Sequence, residues 1–469
     1  MQTPDLLSWL RDRVANPALW RFGDETLNVD DVLAWADSAK AWRDAFEGKV
    51  VAIAGGSNRF FMLAMVLLDG AADAILPLPD GLPEYAINEF ARKAGIRDLV
   101  CEVKNGRFLS AGFSSTHLLP DLLPIPNHAE RPASATNSSA TRATRWLIPT
   151  SGTTGTPKLV PHTLQTLTRT TKRDFSRGAA LRWGLLYDMT RFAGLQVFLQ
   201  ALAGGSLLLI PPANTLSEQV SFLICNGCNA LSATPTMWRK FLMIPGMEKL
   251  PFSHVTLGGE IADNHILTSL RAKFPDATVR HIYASTEAGV GFAVSDGKAG
   301  FPSSFLKEPP SGLSLMVREL DGMLLIQPAG ENPSHYIDES IRIQDENGWI
   351  DTGDLVSLVG DRVQFLGRAS GAINVGGAKV HPGEIEACLR ALPWVADAMV
   401  RAKRNPFCGN VVEAIIITTP GRPMNLTDDV CAGLARDHCR GSLEPFKVPA
   451  IVHVWDSLPT TSTGKLIRE

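Results

Sequence analysis

The sequence has no uninterrupted apolar run long enough to span a membrane. A transmembrane helix needs about 20 consecutive apolar residues, and the most apolar stretch, Gly194 to Ala213, is broken by Gln, paired Gly and paired Pro. The N-terminal sequence MQTPDLLSWLRDRVANPALW mixes acidic residues and arginines among its apolar ones, as an amphipathic helix does and a signal peptide does not. We therefore expect no membrane span and a cytoplasmic protein.

Charge of one sign and cysteine are also in short supply. The 469 residues have a formal net charge of −3, so there is no electrostatic reason to expect a nucleic-acid or anionic-membrane partner, and a small molecule is the expected one. Seven cysteines, an odd number, indicate reduced thiols. Cys225 and Cys228 form one CNGC pair without a second pair or nearby histidines, which favours a structural role over metal binding. The length allows two or three domains, and a hydrophobic content of 45% with 20% charged residues is typical of a soluble globular protein with a sizeable core.

The stretch PTSGTTGTPKLVPHT, from Pro149 to Thr163, has the composition of an anion-binding loop. Glycines let backbone N–H groups turn toward a phosphate, and Ser, Thr and Lys add donors and positive charge. The spacing of a Walker loop is missing, because Gly155 is followed by Thr156, Pro157 and Lys158 rather than directly by the lysine. The stretch thus predicts nucleotide binding outside the P-loop class, and a plain surface turn is the alternative.

The pattern along the chain predicts an α/β fold. Apolar runs such as KVVAIAG and ADAILPLP alternate with helical stretches such as SNRFFMLAMVLLDGA, and this alternation returns after the glycine-rich loop. It is typical of mainly parallel sheets layered with helices. The polar segment from Asn127 to Arg145 reads as an exposed connection.

Two further patterns follow in the C-terminal half. Residues 313–363 form short alternating pieces separated by Gly, Asp and Asn, which predicts a small antiparallel, barrel-like part. From Arg368 onward, helical and strand patterns predict a small α+β domain.

Five separated pieces of the sequence have to be read together. They are PTSGTTGTPKLVPHT, YASTEAG, GWIDTGD, GRASGAINVGGAKVHPGEIE and TSTGKLIRE. In this order and spacing they resemble the adenylate-forming superfamily of acyl- and aryl-CoA synthetases, peptide-synthetase adenylation domains and luciferases. The resemblance covers nearly the whole chain and implies an N-terminal domain at 1–367, a hinge at 368–371 and a mobile C-terminal domain at 372–469.

The resemblance assigns the nucleotide site. It implies that Thr286 binds a phosphate oxygen, that Glu287 holds Mg²⁺, and that Asp354 accepts both ribose hydroxyls with Arg368 nearby. It also implies that Tyr283 lies against the adenine. The remaining implied nucleotide contacts are the loop residues Thr150, Ser151, Gly152, Thr153, Thr154, Gly155 and Lys158, together with Gly259, Glu260 and Ala284.

The resemblance also assigns the later chemistry. Lys465, in the pattern STGK, corresponds to the lysine that approaches the carboxylate and α-phosphate during adenylation. Gly376 and Gly377 correspond to the stretch that lines the thiol path in the second step. At the hinge, Ser370 stands where many members have Asp or Lys, which leaves the balance between the two domain poses open.

Two departures from the family pattern bear on the acid. Arg191 stands where many CoA ligases have a histidine, three residues before Gly194, and Ala284 replaces the usual glycine after the tyrosine. With Gly258, these residues would border the acyl pocket. The arginine either pairs with a second polar or anionic group on the acid or gates the tunnel to the pocket. The extra methyl narrows the pocket, so a compact, short or aromatic acid is expected.

The resemblance thus implies an AMP-forming acid–thiol ligase that uses ATP, Mg²⁺ and CoA. Transfer to a carrier-protein phosphopantetheine is one alternative, and a non-catalytic ATP-binding member is another. Monomer and homodimer both remain open.

Replacing Lys465 tests the assignment of the C-terminal motif. Lys465→Ala should nearly abolish acid-dependent pyrophosphate release, because the positive charge that offsets the developing negative charge is lost. Transfer from a supplied acyl-adenylate to the thiol should stay largely intact. Loss of both half-reactions together would refute the role.

Overall fold

The computed structural model describes most of the chain. The described residues are 4–13, 18–80, 82–102, 113–120, 143–150, 158–212, 215–375, 378–405, 409–419, 422, 426–460 and 466–468. Residues 151–155 of the glycine-rich loop, Gly376, Gly377, Lys465 and most of the predicted connection at 127–145 lie outside these ranges.

The chain divides into two compact units. The first comprises Met1–Leu231, Ser285–Val290 and Gly330–Gly348, and the second comprises Ser232–Ala284, Gly291–Ala329 and Trp349–Glu469. The boundaries inferred from the resemblance, at 367 and 372, stay a prediction. Among the described helices, none combines the length and apolar character that a bilayer span requires.

The first unit is built on parallel strands. One sheet has the order β6-β5-β3-β4-β7-β8, with every pair parallel except the hairpin of β7 and β8. In a second sheet, β1 pairs with β10, β10 pairs with β9, and β9 pairs with β11, and all three pairs are parallel. The strands are β1 (Ala18–Phe22), β2 (Glu25–Asn28), β3 (Val50–Ala54), β4 (Ala74–Pro77), β5 (Asp98–Cys101), β6 (Ser115–Leu118), β7 (Arg145–Pro149), β8 (Leu159–His162), β9 (Arg182–Gly184), β10 (Leu207–Ile210) and β11 (Ala230–Ala233).

Helices connect these strands as the apolar periodicity predicted. The helix after β3 begins where the Ser57 side chain accepts the Phe60 N–H, and every residue from Phe60 to Leu68 is buried. Such a helix is hydrophobic all round because it lies inside the core. The helices are α1 (Leu6–Arg11), α2 (Val29–Ser38), α3 (Lys40–Asp44), α4 (Asn58–Leu68), α5 (Glu84–Ala94), α6 (Leu164–Leu167), α7 (Phe175–Gly178), α8 (Phe192–Gly204) and α9 (Leu216–Cys225).

The second unit contains the antiparallel sheet and the C-terminal α+β part. Its strands are β12 (His254–Gly258), β13 (Thr278–Ser285), β14 (Gly289–Val294), β15 (Phe301–Pro302), β16 (Ser314–Arg318), β17 (Met323–Gln327), β18 (Ile350–Val359), β19 (Arg362–Arg368), β20 (Ile373–Val375), β21 (Ala378–Val380), β22 (Val395–Asn405), β23 (Gly409–Thr418) and β24 (Ile451–Val454). Strands β15-β19-β18-β17-β16 form an antiparallel sheet. Strands β22-β23-β24 form a mixed sheet, in which β22 and β23 are antiparallel and β23 and β24 are parallel.

Four α-helices complete the described part of this unit. They are α10 (Pro235–Leu242), α11 (Asn264–Lys273), α12 (Pro382–Arg390) and α13 (Asp428–Ser442). The predicted α/β class is confirmed, with parallel-rich sheets, an antiparallel sheet at the residues predicted for it, and a separate C-terminal α+β layer.

A cluster of buried charges lies within the second unit. The Asp263 carboxylate, at the N-cap of α11, accepts from Arg239 at 2.6 Å and from Arg390 at 2.7 Å. Asp397 lies 3.4 Å from Arg390 and 3.7 Å from Arg239. Burial would raise the pKa of Asp263, but the two guanidinium groups outweigh it and lower that pKa to about 2. Each buried charge is therefore paired, as the cost of desolvation requires.

In the first unit, Asp69 is a fully buried carboxyl group. Its oxygens accept the Leu6 N–H at 2.9 Å and the Trp146 indole N–H at 3.0 Å. Burial and the Asp5 carboxylate raise the pKa of Asp69 to about 7, although these hydrogen bonds and Arg43 oppose the rise. The side chain ties α1 and β7 to the end of α4.

Removing the Asp69 side chain should destabilise the first unit. Asp69→Ala leaves two buried N–H donors without acceptors, so the free energy of unfolding should fall by about 2–4 kcal/mol. Urea unfolding measures the loss, with Asp24→Ala at an exposed turn position as the control. An equally small change in both variants would show that the hydrogen bonds of Asp69 contribute nothing net.

Candidate functional site

The glycine-rich loop closes the hairpin of β7 and β8 in the first unit. Thr150 follows β7 and Lys158 precedes β8. The Thr150 N–H donates to the Lys158 carbonyl at 2.8 Å, and the Lys158 N–H donates to the Thr150 hydroxyl at 3.3 Å. These two hydrogen bonds hold the two ends of the loop together and fix the backbone position of Lys158.

The turn from Thr286 to Ala288, between β13 and β14, is held first by a histidine. The Thr286 carbonyl lies 2.6 Å from Nε2 of His162, the last residue of β8. A carbonyl only accepts, so Nε2 carries the hydrogen, while Nδ1 lies 3.0 Å from the Thr166 hydroxyl. Burial lowers the pKa of His162 to about 4 despite the hydrogen bond to Thr286. The ring is therefore neutral at pH 7.

Two further side chains hold the next two carbonyl groups of the same turn. The Asn332 amide donates to the Glu287 carbonyl at 3.1 Å, and the Arg169 guanidinium donates to the Ala288 carbonyl at 2.8 Å. Arg169 also lies 3.5 Å from the Asn332 side-chain oxygen. Three successive backbone acceptors are thus paired with side chains rather than with a neighbouring strand.

The Glu287 carboxylate has its own partner. The Tyr336 hydroxyl donates to Oε1 of Glu287 at 3.2 Å, and the Lys158 ammonium lies 4.9 Å from the centre of the Tyr336 ring. Burial, the negative charge of Glu287 and this hydrogen bond raise the pKa of Tyr336, so its hydroxyl remains a donor. Tyr336 therefore contacts both the acidic and the basic candidate residue of this unit.

The donor set around Glu287 fits Mg²⁺ carried by a nucleotide. Among the described residues no group of three His, Cys, Asp or Glu side chains is arranged to hold a metal ion. Mg²⁺ in nucleotide sites is held through one or two carboxylates together with phosphates and water. Oε1 of Glu287 accepts a hydrogen bond from Tyr336, and the second oxygen of the carboxylate would bind such a cation.

Arg191 and Gly194 lie together at the start of α8. Arg191 is the N-cap, and a Cβ at Gly194 would come within 2.1 Å of the Asp188 carbonyl, so glycine is required for this close packing. Burial lowers the pKa of Arg191, although Asp188 opposes the shift. The buried Nε of Arg191 has no hydrogen-bond partner among the described residues. The guanidinium therefore retains an unused donor.

In the second unit, Asp354 is held on both oxygens. Arg368 Nε lies 2.9 Å from Oδ1, and the Tyr283 hydroxyl donates to Oδ2 at 2.6 Å. The Arg368 guanidinium also donates to the Thr352 carbonyl at 2.7 Å. Burial and the charge of Asp354 raise the pKa of Tyr283 well above 10.0, so the phenol stays protonated. The carboxylate is fixed in orientation and remains an acceptor.

The ring of Tyr283 belongs to an aromatic cluster. It is nearly parallel to Phe292 and Phe365, with ring centroids 5.3 and 5.2 Å away. These contacts fix the position of the ring from which the Tyr283 hydroxyl donates to Asp354. Contact between Tyr283 and adenine, implied by the resemblance, stays a prediction.

The predicted LGGE segment, 257–260, begins within β12 and continues beyond its last residue, Gly258. Gly259 adopts a positive φ of 79°, which favours glycine, and a Cβ at Gly258 would meet no atom within 4 Å. Glu260 accepts the Thr236 N–H at 3.0 Å and the Leu466 N–H at 3.4 Å. Glu260 therefore contacts the residue that follows Lys465. Ala284 lies next to Tyr283 near the end of β13.

The structure thus groups the predicted residues within each unit. The first unit brings together Lys158, Thr286 and Glu287, with Arg191 and Gly194 placed at α8, and the second brings together Tyr283, Asp354 and Arg368. Sequence reasoning missed the side chains that support the first group. His162 stood within the quoted loop stretch, but no local pattern distinguished Arg169, Asn332 and Tyr336.

Comparison with known proteins adds a family relationship. The sequence profile of the AMP-binding enzyme family matches residues 29–317, and the profile of its C-terminal domain matches residues 384–465. The 2-succinylbenzoate–CoA ligase of Bacillus subtilis is 28% identical over 348 residues, which cover 70% of this chain and 68% of that protein. Surfactin synthase subunit 1 of the same organism is 26% identical over 451 residues, 88% of this chain but only 12% of that much longer protein.

Solved structures share the fold across the whole chain. An anthranilate CoA ligase in complex with anthranoyl-AMP has a TM-score of 0.77 and 17% identity, covering 99% of this chain and 96% of that one. The o-succinylbenzoate CoA synthetase of Bacillus subtilis, in complex with its acyl-adenylate intermediate, has a TM-score of 0.72 and 19% identity, covering 100% of this chain and 98% of that one.

The neutral state of His162 predicts a pH-dependent contribution to stability. Its pKa is about 4 in the folded chain against 6.5 for an unperturbed histidine, so the unfolded state binds the proton first and stability falls as the pH drops from 6.5 through 4. The loss amounts to about 3 kcal/mol. Glutamine does not titrate, so the free energy of unfolding of wild type minus that of His162→Gln should decrease over this range.

Urea unfolding at several pH values between 7 and 4 gives the measurement. His265→Gln serves as the matched control, because it makes the same substitution at an exposed position. A difference for His162→Gln that changes with pH no more than that of the control would show that the buried ring does not resist protonation.

Proposed function

The chain belongs to the adenylate-forming superfamily, and we propose that it is an AMP-forming acid–thiol ligase with CoA as its acceptor. In the first half-reaction, an oxygen of the carboxylate attacks the α-phosphorus of ATP and pyrophosphate leaves. In the second, the thiol sulfur attacks the acyl carbon and AMP leaves. Both steps bring negative groups together, so positioning and charge neutralisation do most of the catalysis.

The observation that carries the proposal is the arrangement around Tyr336. A carboxylate suited to a nucleotide-bound cation, Glu287, and the ammonium of the glycine-rich loop, Lys158, lie on two sides of one tyrosine. In the proposed reaction Lys158 and Thr286 bind phosphate oxygens. Glu287 holds the Mg²⁺ that offsets the phosphate charge.

The pair of Asp354 and Arg368 would bind the ribose. An ionised carboxylate only accepts, so it suits the two hydroxyl donors of a diol. Arg368 and the Tyr283 hydroxyl already fix its orientation, which lowers the entropic cost of binding. Gly259, Glu260 and Ala284 are proposed to pass beside the adenine.

The acid is proposed to be compact, aromatic or short. Arg191 has a buried Nε without a partner among the described residues, so a second polar or anionic group on the acid would satisfy it. Gly194, Gly258 and Ala284 would border the rest of the pocket, where the Ala284 methyl limits chain length. The similarity to a 2-succinylbenzoate–CoA ligase supports an acid of this class.

The transfer step is proposed to use the C-terminal part of the chain. Lys465 would stabilise charge during adenylation, and Gly376 and Gly377 would line the path of the pantetheine thiol. Rotation at residues 368–371 would exchange the two arrangements. A carrier-protein phosphopantetheine is the second candidate acceptor, because peptide synthetases are among the relatives.

Pyrophosphate release tests the proposal. The wild-type chain is incubated with ATP and Mg²⁺ and a panel of benzoic, hydroxybenzoic, anthranilic, cinnamic and medium-chain fatty acids, each with and without CoA. Sustained turnover that requires both an aromatic or short acid and CoA is the expected result. Glu287→Gln, which keeps the size but removes the charge, should be inactive throughout.

Other outcomes distinguish the alternatives. Acid-dependent pyrophosphate exchange that is indifferent to CoA would point to a carrier protein as the acceptor. Binding of ATP without any acid-dependent pyrophosphate release would support a non-catalytic member. Turnover confined to fatty acids would overturn the proposed acid class while leaving the reaction intact.

A further inference from the structure

The turn that carries Thr286 and Glu287 makes an unusual set of contacts. Its three consecutive carbonyl groups each accept from a different side chain, at 2.6, 3.1 and 2.8 Å in chain order. The donors come from two distant parts of the sequence, 162–169 and the segment at 330–348. In a regular sheet, backbone N–H groups would donate to such carbonyl groups. Here the donors are side chains, so these side chains hold the turn in place.

Each donor is itself held in place. His162 is buried and contacts Thr166 through its second nitrogen. Arg169 reaches the Asn332 side chain, and the Gln344 amide lies 3.3 Å from the Asn332 carbonyl. A hydrogen-bonded network of this kind restricts the turn to one conformation.

We propose that His162, Arg169, Asn332 and Tyr336 are positioning residues for the metal-holding carboxylate. The first three tie the carbonyl oxygens back to the protein, which prevents these partial negative charges from turning toward a phosphate. Tyr336 orients the carboxylate of Glu287 through its hydroxyl. The assignment rests on the proposed function, because it takes Glu287 to hold Mg²⁺ with ATP.

Tyr336 has a second effect, which concerns charge. A direct ion pair between Glu287 and Lys158 would neutralise both groups before any ligand bound. The Tyr336 side chain instead accepts the ammonium at its ring face, 4.9 Å from the centroid, and donates to the carboxylate through its hydroxyl. A tyrosine satisfies both charges without bringing them together.

The test removes only the hydroxyl. Tyr336→Phe keeps the ring near Lys158 but frees Glu287, so Mn²⁺, used as the probe with ATP and no acid, should bind about tenfold more weakly. Electron paramagnetic resonance of free Mn²⁺ measures this affinity, with a sample of Mn²⁺ and ATP without protein as the blank, because ATP alone also binds Mn²⁺. The Mg²⁺ concentration for half-maximal pyrophosphate release should rise by the same factor, while kcat at saturating Mg²⁺ stays close to that of wild type.

Tyr85→Phe is the matched control, since Tyr85 is 64% exposed and the variant should leave Mn²⁺ binding unchanged. Unchanged Mn²⁺ affinity in Tyr336→Phe, or a loss of activity that excess Mg²⁺ does not restore together with a lower melting temperature, would overturn the positioning role.

A pair of histidine variants tests the backbone contacts. His162→Gln places an N–H where Nε2 of the imidazole lay, whereas His162→Asn is too short to reach the Thr286 carbonyl. Glutamine should therefore retain Mn²⁺ affinity within about threefold, and asparagine should lose about tenfold. Equal behaviour of the two would contradict the role of His162.

Failure of the proposed function gives a different result. Wild-type protein that neither binds Mn²⁺ with ATP nor releases pyrophosphate would overturn the function and the positioning role together. Wild-type protein that passes both assays, with Tyr336→Phe indistinguishable from it, would overturn only the positioning role.

Discussion

Backbone carbonyl groups that leave a strand still need hydrogen-bond donors, and the candidate site of the first unit is arranged around that requirement. The turn at 286–288 receives its donors from residues that are up to 124 positions away in the sequence, the separation of His162 from Thr286. This explains why Ser285–Val290 and Gly330–Gly348 belong to the same compact unit as the first half of the chain. The turn that carries the candidate residues Thr286 and Glu287 is thereby held by side chains through all three of its carbonyl groups.

Both candidate carboxylates follow the same physical rule. Glu287 and Asp354 each accept from a tyrosine hydroxyl whose pKa is raised by burial and by the carboxylate itself. The phenol therefore stays protonated, and it orients the acidic group without adding a formal charge. Arg368 adds a positive charge only at Asp354, where the proposed ligand is a neutral diol. At Glu287 the proposed metal ion would supply the formal positive charge.

Sequence reasoning predicted the parts of the fold that depend on local periodicity. Strand β3, helix α4 and strand β4 occur where the apolar runs predicted them, and the hairpins of the antiparallel sheet fall within the alternating segment. The candidate site was predicted only at residues inside short motifs, such as Glu287 and Asp354. Asn332 and Tyr336 lie in a polar loop without periodicity, and their importance comes from long-range contacts. The packing of Tyr283 against Phe365, which is distant in sequence, could not be predicted for the same reason.

The charge cluster of Arg239, Asp263, Arg390 and Asp397 has a consequence for the surfaces that it joins. Apolar residues in place of the cluster would also bury surface area, but separation of the two surfaces would then expose hydrophobic patches to water and to other molecules. When the charged side chains of the cluster separate, water hydrates each of them instead. Separation of the α10–α11 region from the C-terminal layer would therefore expose charged groups at this contact rather than an aggregation-prone apolar face.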